Sequence, residues 1–156
     1  MTRPFCFLAI LSQIIALTLV GTGCSSGPSD QDRLEGSWRS FAVEKGKKKS
    51  EPGSKGATGM SFLFSKDKIT HREHDHPIFS GTFKLDPTTS PKQIDVTVDE
   101  GPEFKPGVKL LGIYKFDGQS LILCIGEPSE KKGSVRPQGF SLPDTRDITM
   151  SFKQEK

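Results

Sequence analysis

The chain has 156 residues, of which 33% are hydrophobic and 26% charged, with a formal net charge of +3. That length suits one domain with one core, and so small a positive excess excludes an electrostatic case for nucleic acid or an anionic membrane surface as partner. Cys6, Cys24 and Cys124 are its three cysteines; once the first two are assigned to export, no intramolecular disulfide is available and the domain must rest on a hydrophobic core.

Residues 1–23 read as a signal peptide. Arg3 supplies the positive start, and Phe5 to Val20 is apolar apart from Ser12, Gln13 and Thr18. A run of roughly 16 residues is short for a membrane span and ends in the small residues Gly21, Thr22 and Gly23 ahead of Cys24, the order a secretory signal requires. Cys24 stands where a lipoprotein peptidase would leave an acylated N-terminus. The pattern resembles a bacterial lipobox but carries Gly21 where such boxes prefer Leu, so ordinary cleavage with secretion and a retained anchor remain alternatives to lipidation. The expected location is the cell envelope, with membrane contact through the N-terminal lipid alone. Removing Arg3 lowers the net charge to about +2. Residues 24–32 carry no apolar side chain to bury and read as a flexible, solvated tether; the folded domain is placed at 33–156.

Beyond Ala42 no sustained 3.6-residue apolar stripe occurs. Short β-rich runs do, at Ser37–Val43, Met60–Phe64, Lys68–Arg72, Ile78–Leu85, Gln93–Val98, Leu110–Phe116, Ser120–Ile125 and Asp147–Phe152. Lys66-Asp67, Asp86-Pro87 and Asp117-Gly118 supply turns between them. Lys45, Lys47, Lys48 and Lys49 read as a solvated loop rather than a phosphate-binding patch. Period-two alternation turns Phe62 and Phe64, then Phe79, Gly81, Phe83 and Leu85, then Ile94, Val96 and Val98, then Tyr114 and Phe116 inward. The fold class is therefore all-β: about eight strands in an antiparallel meander closing into a barrel, which also removes exposed edges. Gly81–Asp86 and Gly112–Asp117 share the pattern Gly, any residue, aromatic, Lys, apolar, Asp, which two similar hairpin strands explain without a duplication.

Several segments taken in order carry a resemblance: Leu34–Trp38, Gly81–Pro87, Pro91–Asp95, Leu110–Gly118 with Leu121–Cys124, Arg136-Pro137 with Phe140, and Phe152-Lys153. Together they resemble the planctomycetal lipocalin-like domain family, small envelope domains with no assigned activity, over nearly all of the folded part. The resemblance implies a lipocalin-like barrel. It also implies that Gly36-Ser37-Trp38 matches the lipocalin Gly-x-Trp, with Trp38 plugging the closed end beneath a basic side chain, Arg136 or Lys153, through a cation–π contact. It carries over no ligand and no ligand-contact residues.

The sites of chemistry are sparse. His71, His74 and His76 fall in one stretch that ends in Pro77. His74 and His76 are the weak metal candidates; the expectation is an open hairpin tip without the surrounding groups that orient metal ligands. Cys124 alternates within an apolar run, with no helix terminus or cation beside it to lower its pKa, and is expected to be structural. Asp95, Asp99, Glu100 and Glu103 are placed on a wet face beside a loop. No phosphate-binding glycine loop and no zinc-spaced Cys/His set occurs, and neither a cofactor nor catalysis is expected. Two functions remain open: a module binding a small apolar or amphipathic ligand, and a structural or protein-interaction module whose barrel is filled by phenylalanines. A pocket of at least roughly 300 Å³ lined by apolar groups favours the first.

Overall fold

The computed structural model describes residues 27–129, 133–140 and 146–156; the segment expected to be a signal peptide and Cys24 lie outside them. Its elements in chain order are helix α1 (Asp30–Leu34) and strands β1 (Gly36–Lys45), β2 (Lys48–Lys49), β3 (Met60–Ser65), β4 (Lys68–Glu73), β5 (His76–Asp86), β6 (Lys92–Glu100), β7 (Lys109–Asp117), β8 (Ser120–Ile125), β9 (Pro128–Ser129), β10 (Gly133–Ser134) and β11 (Ile148–Gln154). Strands β1, β3, β4, β5, β6, β7, β8 and β11 pair antiparallel with their neighbours in turn, and β11 pairs back onto β1, so the meander closes into an eight-stranded barrel. The short β2 extends the sheet beside β1. Closure satisfies the backbone groups that an open sheet would leave at its edges.

The expected strands all form, and the interior follows their alternation. In β6, Ile94, Val96 and Val98 are each at most 1% exposed while Asp95 and Asp99 face water. The lysine-rich segment is a small hairpin and not a loop, yet Lys45, Lys47, Lys48 and Lys49 all stay exposed. The β7–β8 turn is Gly118-Gln119, one residue later than the sequence suggests. The glycines that open the two similar segments share a cause. A Cβ on Gly81 would lie 2.2 Å from the Thr97 carbonyl oxygen, and one on Gly112 would lie 2.9 Å from that of Cys124. Both positions let neighbouring strands approach closely where the sheet curls, and β5 carries a register shift at Ser80/Gly81.

One end of the barrel is shut by α1, which departs from the expected tether. Ser29 caps the helix in a reciprocal capping box with Asp32. Leu34, at its last turn, is 1% exposed within the core. The Asp30 carboxylate accepts hydrogen bonds from Lys92 Nζ and Tyr114 Oη, each at 2.7 Å. Residues without apolar groups thus join the fold through capping and a partly buried ion pair. Trp38 is buried here as expected and donates from Nε1 to the Leu34 carbonyl at 2.8 Å. Gly36 precedes it at φ 109°, a backbone conformation that glycine adopts without strain.

The cation at this end is neither Arg136 nor Lys153. Arg33 lies 3.8 Å from the centroid of the Phe116 ring, itself beside Trp38, and donates to the Gly118 carbonyl. Lys153 lies over Phe41. Arg136 sits outside the barrel, where it bonds the carbonyls of Gly112 and Ile94 and the carboxylate of Asp95. A guanidinium has five donors, and two carbonyls with a carboxylate satisfy them better than an aromatic face. Arg136 therefore fastens the chain after β10 to the outside of β6 and β7 rather than closing the barrel core. Ser134 adds to this seam by accepting from Leu111 N and donating to the Gly126 carbonyl.

Candidate ligand-binding cavity

The meander places the starts of β6, β8 and α1 at the closed end and the ends of β4, β6 and β8 at the other. At that open end the side chains do not meet across the axis, leaving a cavity of about 420 Å³. Phe62, Phe79 and Met150 form its deeper part, and Ile78, Leu110 and Ile148 line its walls. Glu73, Glu103 and Glu127 stand exposed at the mouth, where Lys45 pairs with Glu127 at 3.0 Å. Phe104, on the 101–108 loop, reaches over the opening and packs edge-on against Phe79 at 5.7 Å. The 50–59 segment is pinned to the same end by Ser40, whose buried hydroxyl donates to the Ala57 carbonyl and accepts from Met60 N.

His71 is the polar group set into this apolar wall. It continues the inward parity of Ile69 on β4, so the period-two pattern alone aims it inward. Its ring stacks on Phe62 at 4.4 Å and meets Phe79 edge-on at 5.3 Å. Burial penalises the imidazolium and pushes its pKa down to about 4, so the ring is neutral near neutral pH. Its Nε2 is buried without a hydrogen-bond partner among the described residues. By sequence alone His71 groups with the polar stretch that follows it, although Lys68, Ile69, Thr70 and His71 already alternate.

The other candidates are dispersed. His74 and Asp75 form the β4–β5 turn at positive φ, and His74, Asp75 and His76 are exposed. Pro77 does not end the strand: β5 begins at His76 and continues through it. Among the described residues no group of three His, Cys, Asp or Glu side chains is arranged to hold a metal ion. Asp95 pairs with Arg136, Asp99 with Lys68 at 3.1 Å, and Glu100 accepts from Ser80, so these carboxylates lie apart on the outer face. Glu103 joins the cavity mouth instead. Cys124 is 1% exposed opposite Ile113 on the outer face of β7–β8; burial pushes its thiol pKa up against a hydrogen bond with Thr149. A buried, protonated thiol is a poor nucleophile.

A larger groove of about 790 Å³ lies outside the closed end, beneath Trp38 and Phe116. Exposed polar and charged residues such as Asp32, Gln119, Lys153 and Lys156 form much of its lining. It is surface relief beside α1 and does not enter the barrel, so the smaller, mostly apolar cavity is the better candidate site. Comparison of the chain with protein-family models, curated proteins and solved structures finds no match.

Proposed function

We propose that the chain is an exported lipocalin-like module, anchored through a lipid on Cys24, that holds a small apolar or amphipathic molecule in the open-end cavity and performs no catalysis. The observation that carries this reading is the cavity itself: about 420 Å³ inside a closed barrel, with walls of aromatic and aliphatic side chains. That volume lies within the range of small-molecule pockets. The folded chain begins at the closed end, so a lipid on Cys24 would hold that end toward the membrane and leave the mouth facing away. The filled phenylalanine core of the closed half favours the second reading, a structural or protein-interaction module of the envelope.

Titration with the apolar fluorophore N-phenyl-1-naphthylamine separates the two readings. The expected result is saturable binding that is lost in Ile148→Trp or Met60→Trp, each of which fills the cavity, while the thermal transition is retained. Absence of saturable binding to the unaltered protein, or binding indifferent to both substitutions, leaves the scaffold reading standing. In the same experiment, membrane fractionation should find the unaltered chain with membranes and Cys24→Ser released; equal partition of the two ends the anchor.

A further inference from the structure

We infer that the cavity selects an uncharged amphiphile, an apolar chain or ring system bearing one hydroxyl-type group that hydrogen-bonds the His71 imidazole, and disfavours carboxylate lipids of the same length. This inference rests on the cavity-binding reading above and names its ligand class.

The apolar walls supply affinity without orientation. Orientation needs a polar group, and His71 supplies one from within the wall. Its Nε2 is buried and unbonded among the described residues, and a buried polar atom left unpaired is costly enough that folded proteins rarely keep one without a reason. The Phe62 and Phe79 rings that flank it offer no conventional hydrogen bond. The His71 side chain already lines the cavity and the imidazole χ2 is a soft torsion, so the ring need only turn to present a nitrogen to the ligand. A hydroxyl suits the site because it donates or accepts and therefore matches either tautomer of a neutral imidazole. The mouth argues for the absence of negative charge on the ligand. Glu127 at the opening is paired with Lys45, but Glu73 and Glu103 border it with no ion pair among the described residues, and a carboxylate entering past them would leave water for an apolar wall beside like charges.

The test is displacement of N-phenyl-1-naphthylamine at about pH 7.5, where decanoate is ionised, by 1-decanol, decanoate and 1-chlorodecane. For the unaltered protein, 1-decanol should displace the probe at a concentration at least about tenfold below decanoate. In His71→Phe, which keeps the aromatic packing and removes the nitrogens, 1-decanol should weaken by roughly three- to tenfold, the worth of one neutral hydrogen bond, while 1-chlorodecane stays within about twofold. His71→Leu serves in its place if the phenylalanine variant does not fold. Equal displacement by 1-decanol and decanoate, or 1-decanol binding unchanged by the His71 substitution, overturns the inference and leaves the cavity reading intact. Failure of the probe to bind the unaltered protein removes both.

Discussion

At the closed end Trp38, Phe64 and Tyr114 are each at most 3% exposed and α1 lies across them, whereas at the open end Met60, Ile125 and Ile148 are only partly buried around empty space. The same eight strands build both ends, so the sheet does not cause the difference. Side-chain size and the connections do. Phe62 and Phe64 sit with Phe83 and Phe152 in a continuous aromatic cluster, with ring centroids 5.2–6.0 Å apart. The open end mixes Phe79 and His71 with the aliphatic side chains of Ile78, Leu110, Ile125 and Ile148, its connections are longer, and Phe104 reaches over it from a loop. A barrel divided in this way concentrates its packed core in one half and leaves a cavity in the other, where the proposed ligand would sit.

Phe64→Ala should have the largest effect, because it opens a void in the filled half. A loss of about 3–5 kcal/mol is expected by chemical denaturation; a loss below about 1 kcal/mol would mean that the closed half is not the stabilising one. Lowering the pH should come next. The folded protein holds His71 near a pKa of about 4, against 6.5 for the free side chain, so between those values the unfolded chain binds the proton and the folded chain resists it. Stability is thus fully present above about pH 6.5 and falls as the pH drops toward 4, by up to about 3 kcal/mol. The same fall should be missing from His71→Phe, and an equal fall in that variant assigns the pH response to other groups. Phe104→Ala should be smallest, under about 1 kcal/mol because the ring is partly exposed. It should nevertheless weaken binding of N-phenyl-1-naphthylamine several-fold; unchanged binding would show that the loop does not cover an occupied site.

Much of the fold was legible because the strand period is local. Alternation in Gln93–Val98 or Leu110–Phe116 states which side chains turn inward before any partner strand is known, and turn residues mark where the chain reverses. The cavity was less legible, since a gap depends on how far side chains from opposite strands reach across the axis. His71 shows both cases in one residue: its inward parity can be read beside Ile69, but the five polar residues after it, Arg72 to His76, draw attention to the hairpin tip.

The sequence by itself determined the all-β class, the strands, their inward faces and the burial of Trp38 and Cys124, because these follow from neighbouring residues in the chain. Tertiary structure alone decided that Asp30 joins Lys92 and Tyr114, 62 and 84 residues away, that Arg33 rather than Arg136 meets the aromatics of the closed end, and that the interior is filled at one end and hollow at the other. Each of those outcomes is a competition among groups distant in sequence for the same partner or the same volume, and closing the sheet sets the terms of that competition.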